Sequence, residues 1–135
     1  MMPSISGFHH LSFSVTDLGR SAAWYQDVLG FSHDSDVEGE GFRRVRLRHP
    51  DAGITVTLTE HHHGGGERFS ELRTGLDHLA FSAGGADDVE EWKRRFQERG
   101  VDHSDIKTRP GGAAIITVRD PDNIQLEIFG APPRT

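Results

Sequence analysis

The segment His9-His10-Leu11-Ser12-Phe13-Ser14 returns 68 residues later as Asp77-His78-Leu79-Ala80-Phe81-Ser82, so one strand pattern, with its histidine, occurs twice in a chain of 135 residues. A unit of about 60 residues buries too little surface to be more than marginally stable alone. The two copies must therefore fold together, or each against a second copy of the chain.

The repeat runs on through the chain. Trp24 and Trp92 are also 68 apart, Arg48-His49-Pro50-Asp51 matches Arg119-Asp120-Pro121-Asp122 at an offset of 71, and past Gly53 the offset is 70, Ile54 matching Ile124. In the first copy Leu11, Phe13 and Val15 alternate with His10, Ser12 and Ser14, the period of a strand with one buried face. Asp17 then caps a helix with Leu18, Ala22, Tyr25 and Leu29 on one stripe, Gly30 stops it, and strands are predicted near 31–37, 42–48 and 54–59. The second copy predicts a strand at 77–83, then a helix opened by Asp87 and Glu90 as a capping box, striped by Val89, Trp92 and Phe96 and ended by Gly100. Strands near 102–107, 113–118 and 123–129 follow. The order reads βαβββ twice, an α+β fold, with modules at about 5–60 and 75–130 in a single domain over 1–135. His61 to Gly66 (HHHGGG) and the polar residues after it read as a mobile linker.

Parity decides which side chains can share a site, because neighbours along a strand point to opposite faces. Leu11, Phe13 and Val15 belong to the helix-covered face, which leaves His10, Ser12 and Ser14 on the other. The same rule groups His78, Ala80 and Ser82, then Gln125, Glu127 and Phe129, then Thr55, Thr57 and Thr59. The polar faces therefore hold two histidines and one carboxylate, a donor set suited to Fe, Mn, Zn, Ni or Co with positions left open. Taken singly, a strand histidine is more often a hydrogen-bonded side chain than a ligand. His9 has the wrong parity, and the His61-His62-His63 tract reads as solvated linker rather than as a site.

Net charge is 15 minus 21, or −6, which opposes general binding to nucleic acid or to an anionic membrane. Cysteine is absent, which removes disulfides and thiolate ligands. No apolar run approaches a membrane span, and the expected location is the cytoplasm. Arg44 and Arg46 share parity, and Arg46 corresponds through the repeat to Thr117. Two readings stand for them: donors to an anionic substrate, or basic residues that protect a sheet edge from aggregation. Trp24 and Trp92 read as helix packing, and Asp120-Pro121-Asp122-Asn123 as a turn.

The run His10-Leu-x-Phe-x-Val-x-Asp17-Leu18-x-x-Ser21-x-x-Trp24-Tyr25-x-x-Val28-Leu29-Gly30-Phe31 resembles the opening of the vicinal oxygen chelate superfamily. Asp77-His78-Leu79-Ala80-Phe81 is similar to its central ligand strand, and Asp120-Pro121-Asp122-Asn123-x-x-Leu126-Glu127 to its closing one. That superfamily takes in glyoxalase I, extradiol dioxygenases, fosfomycin-modifying thiol transferases and metal-free bleomycin resistance proteins. The resemblance implies a cup-shaped, mostly antiparallel eight-stranded sheet with helices outside. It implies a divalent metal held by His10, His78 and Glu127, a small-molecule substrate with adjacent oxygens, and a homodimer in which one site can draw on both chains. Arg46, Thr57, Thr117 and Phe129 are the expected substrate-binding residues, and no catalytic base is identified.

Departures from the family pattern bear on the reaction. Thr57 stands where glyoxalase I has a second glutamate, since 127 minus 70 is 57, and Glu60 has the wrong parity to replace it. Thr117 stands where dioxygenases and fosfomycin transferases often carry a tyrosine. The sequence favours a metal-dependent enzyme of lyase or isomerase type. An extradiol-type dioxygenase or thiol transferase, and a non-enzymatic drug- or metabolite-binding protein, are the alternatives.

Overall fold

The structure, a computed structural model, describes residues 1–133, and the chain divides at Gly66 into two compact units. The first contains β1 (Leu11–Ser14), α1 (Leu18–Leu29), β2 (Ser32–Gly39), β3 (Phe42–Arg48) and β4 (Thr55–His61). The second contains β5 (Leu79–Gly85), α2 (Ala86–Glu98), β6 (Lys107–Thr108), β7 (Ala114–Arg119) and β8 (Gln125–Ala131). Eight strands form, as expected, but as two four-stranded sheets, ordered β1-β4-β3-β2 and β5-β8-β7-β6. In each, the first strand runs parallel to the last and the other pairings are antiparallel.

The internal equivalences read from the sequence reappear as hydrogen-bond register. Ser12 lies opposite Thr57 and Ala80 opposite Glu127, while Arg46 pairs with Thr57 and Thr117 with Glu127. Thr57 and Glu127 thus hold the same place in the two sheets, one strand in from the parallel edge.

In the first unit Asp17 caps α1, accepting the Arg20 N–H at 3.1 Å. Gly30 closes the helix with φ of 81°, a left-handed conformation that a side chain disfavours. Leu18, Ala22, Tyr25, Val28 and Leu29 are buried on one stripe, and Tyr25 is fully enclosed, its ring 6.2 Å from Phe13 and 6.1 Å from Phe31. Val45, Leu47, Val56 and Leu58 complete that core from the sheet. Each such side chain contributes about 1.5–3 kcal/mol on burial. Glu60 accepts the Leu18 N–H at 2.8 Å and an Arg43 guanidinium N–H at 3.1 Å. Its carboxylate therefore serves the start of α1, as its parity requires, and leaves Thr57 unreplaced.

Three expectations need correction. β3 lies between β4 and β2, so its arginines do not guard a sheet edge. The helix of the second unit is capped from Gly85, and Asp88, not Asp87 or Glu90, reaches back to accept the Gly85 N–H at 2.8 Å. The strand expected near 102–107 shrinks to Lys107–Thr108 with a single bridge from His103 to Val118, because the Ser104 hydroxyl accepts the Thr117 N–H at 2.9 Å and takes the place of a ladder bond. The linker reading holds only in part. His61 ends β4, and past Gly66 the chain is tied to the second unit by Phe69 N–H donating to Asp122 O at 2.8 Å and by the Asn123 side chain donating to Phe69 O at 3.0 Å.

α2 presses Val89 and Phe96, both fully buried, toward its sheet. The helix start lies so near β8 that a Cβ on Gly130 would stand 2.5 Å from Gly85 O and 2.7 Å from a Val89 methyl. Gly130→Ala is therefore expected to destabilise the protein by about 1–3 kcal/mol through overpacking, and Asp17→Ala by about 1 kcal/mol through a lost cap. Urea unfolding of each variant measures both.

Candidate functional site

Opposite its helix, the second sheet presents rows of side chains set by register: Ala80, Glu127 and Thr117 in one, Ser82, Phe129 and Ile115 in the next, and Gln125 with Arg119 on the other side. His78 enters this surface just before β5, with Nε2 3.4 Å from Glu127 Oε2. Two donors each about 2.1 Å from a common tetrahedral ion stand about that far apart. The spacing is long for a hydrogen bond and suited to shared coordination. Thr117 is half-buried across from Glu127, and Phe129 is half-buried beside Ile115.

His78 is oriented from behind. Its Nδ1 donates to Asp77 Oδ1 at 2.6 Å, which places a ring proton on Nδ1 and turns Nε2 toward Glu127. The Asp77 hydrogen bond raises the His78 pKa above the ordinary imidazole value, partial desolvation opposes that rise, and the charge of Glu127 adds to it. Gln125 Nε2 lies 3.4 Å from Asp77 Oδ1, and Gln125 Oε1 accepts from Arg119 at 3.0 Å. Arg119 in turn makes two 3.0 Å bonds to the two oxygens of Glu71 and a 3.1 Å bond to Asn123 O. Fork-to-fork pairing of this kind fixes orientation as well as supplying energy.

His10 lies just before β1, exposed, with its Nδ1 2.8 Å from His9 Nδ1. Thr57 is 2% exposed, between Ser12 and Arg46 in register, and its hydroxyl is without a hydrogen-bond partner among the described residues. Arg46 is exposed, with Nη1 3.4 Å from Ser35 Oγ. Of the predicted ligands the structure brings His78 and Glu127 together; among the described residues, no three His, Cys, Asp or Glu side chains form a group able to hold a metal ion.

Sequence reasoning missed the support behind His78. Asp77, as an Asp-His dipeptide at a strand start, carried a usable signal, and Gln125 was on the right face by parity. Glu71 carried none, because it reaches Arg119 from an aperiodic segment. Arg119 holds the Glu71 pKa down from 4.5 to about 2, chiefly through their hydrogen bonds. A carboxyl with a depressed folded-state pKa adds stability above its unfolded value and loses it as pH falls toward the folded one. Between pH of about 4.5 and about 2 the wild type should therefore lose stability more steeply than Glu71→Gln, as read by urea unfolding at stepped pH.

The sequence matches the Glyoxalase/Bleomycin resistance protein/Dioxygenase superfamily over residues 7–128. It is 31% identical over 97 residues to the metallothiol transferase FosB of Staphylococcus epidermidis, a match covering 72% of this chain and 63% of that protein. The chain thus spans somewhat under two thirds of that relative's length. A glyoxylase/bleomycin resistance protein/dioxygenase domain from Frankia sp. EAN1pec superposes with a TM-score of 0.89 at 32% identity, covering 98% of this chain and 96% of that one. The fosfomycin resistance protein FosX of Listeria monocytogenes, in a crystal with Mn(II) and sulfate, shares the fold with a TM-score of 0.70 at 21% identity, covering 95% and 94% of the two chains. Among the described residues no helix is long and apolar enough to cross a membrane.

Proposed function

Because the chain belongs to the glyoxalase/bleomycin resistance/dioxygenase superfamily, we propose that it is a divalent-metal-dependent enzyme that takes a small molecule by two adjacent oxygens, with His10, His78 and Glu127 as the protein ligands. The observation that carries this is His78 Nε2 set 3.4 Å from Glu127 Oε2 while Nδ1 is committed to Asp77. An imidazole oriented by a carboxylate behind it and facing a second carboxylate is the donor arrangement of a metal site. The Mn(II) in the FosX crystal supports a divalent ion, and superfamily resemblance supplies His10.

When bound, the ion supplies Lewis acidity at the coordinated oxygens and stabilises negative charge that develops there. The protein's own part is to hold the donors still. Asp77 keeps the Nδ1 proton, Gln125 and the Arg119–Glu71 pair hold Asp77 in place, and Thr117 and Phe129 flank Glu127 as one polar and one apolar substrate contact.

Two reaction types compete. Transfer of a thiol to the substrate gains from the 31% identity to a metallothiol transferase, and from Thr57, which cannot take a proton from carbon as a carboxylate would. Isomerisation or lysis, the type the sequence favoured, is the second reading; the 32% identical Frankia domain is described as glyoxylase, bleomycin resistance protein and dioxygenase together and favours neither type.

Untagged wild-type protein should retain stoichiometric metal, His78→Ala should lose it, and a variant with His61, His62 and His63 replaced by alanine should keep it. Equal metal in wild type and His78→Ala would overturn the proposal. Loaded protein offered fosfomycin with thiols, and separately a methylglyoxal–thiol adduct, assigns the reaction. A homodimer is expected by sedimentation, and mixing His10→Ala with His78→Ala chains should restore part of the metal binding if sites are shared between subunits.

A further inference from the structure

The polar face of the first sheet carries a row of cations that supplies none of the proposed metal ligands, although Arg46 and Thr57 on it are expected substrate contacts. Arg44, Arg46 and Arg48 alternate with buried Val45 and Leu47 along β3, so three guanidinium stems leave one face about 6–7 Å apart. Their partners are hydroxyls and a ring. Arg44 Nε donates to Thr59 Oγ1 at 2.8 Å with its guanidinium 4.5 Å from the Phe42 ring centroid, Arg46 Nη1 lies 3.4 Å from Ser35 Oγ, and Arg48 Nη1 lies 3.4 Å from Thr55 Oγ1. Among the described residues none of the three forms an ion pair, whereas Arg43, on the opposite face of the same strand, pairs with Glu60 at 3.1 Å.

Beside this row lies Thr57, opposite Arg46 on one side and Ser12 on the other, 2% exposed and with its hydroxyl unpartnered. Most buried hydroxyls find a partner, and one that does not calls for an explanation; among the described residues Ser21 Oγ in α1 is the other such hydroxyl, but Thr57 is the one beside the arginines. The neighbouring Thr59 differs: its hydroxyl is engaged by both Ser12 Oγ at 3.1 Å and Arg44 Nε. That bond anchors Arg44 toward Thr57's side of the sheet. A row of like charges repels itself, and β3 is not an edge strand that needs them for solubility. One bound anion would relieve both the repulsion and the unpaired hydroxyl.

We propose that this face is an oxyanion site, in which Arg44 and Arg46 supply charged donors and the Thr57 hydroxyl a neutral one to a carboxylate or to a phosphoryl or phosphonate group. Guanidinium forks match either geometry. All three donors lie in the first unit and none is a proposed metal ligand, so the site is testable apart from the metal.

The test is calorimetric titration of inorganic phosphate, and separately of acetate, into the full chain at low ionic strength, in a His78→Ala background dialysed free of metal. Saturable binding of at least one is expected, phosphate alone indicating a phosphoryl-type ligand and acetate alone a carboxylate. Arg46→Gln should weaken it about tenfold and Thr57→Val about threefold, while Arg43→Gln, which removes the same charge from the opposite face, should leave it within about twofold. No saturable binding, or equal losses in Arg46→Gln and Arg43→Gln, overturns the proposal. Arg46 is exposed, so its variant carries the test even if Thr57→Val fails to fold. Metal uptake and anion binding by the protein with His78 and Arg46 both intact separate the two ideas: normal uptake with no anion binding sinks this one alone, and anion binding without metal uptake sinks the other alone.

Discussion

The parallel pairing of each module's first strand with its last is the constraint on which the rest depends. β1 beside β4 and β5 beside β8 can form only because a helix carries the chain away after the first strand and two antiparallel returns bring it back. That pairing sets Ala80 against Glu127 and so brings His78, two residues earlier, to a carboxylate nearly fifty residues away in sequence. A one-residue slip of β8 would turn Glu127 into the core and Leu126 out of it. The buried Leu126 and Ile128 hold the register against that slip, so the hydrophobic face of the strand is what aims its polar one.

The two copies kept this frame and diverged on the exposed face. Where the second sheet has Glu127 flanked by Ala80 and Thr117, the first has Thr57 flanked by Ser12 and Arg46. One position thus carries a carboxylate beside an imidazole in one module and a buried hydroxyl beside a guanidinium in the other. Charge follows the same division. The His78–Glu127 pair lies in the second unit and a row of three arginines in the first.

Rigidity behind His78 comes from a segment with no regular structure. Residues after Gly66 are held by Phe69 and Glu71, through Asp122, Asn123 and Arg119, against the turn and strand that lead to Glu127. Arg119 is the hub, since it touches Glu71, Gln125 and the Asn123 carbonyl together. The same turn is braced by Asp120, whose Oδ1 accepts the N–H groups of Asp122 and Ile124 at 2.9 and 2.8 Å.

The sequence by itself determined the element order, the duplicated modules, the face of each strand and the pairing of equivalent positions, because period two in strands, helical stripes and cap residues are local and each is written in a few neighbouring letters. His78 with Glu127, and Thr57 as the counterpart of Glu127, were legible for that reason. Only the tertiary structure decided that β3 is an interior strand, that Glu60 belongs to the start of α1, that Ser104 shortens β6, and that Glu71 and Arg119 brace Asp77. Each of those depends on which strand lies beside which, or on a side chain crossing between segments far apart in the chain, and no local pattern of hydrophobicity carries that information.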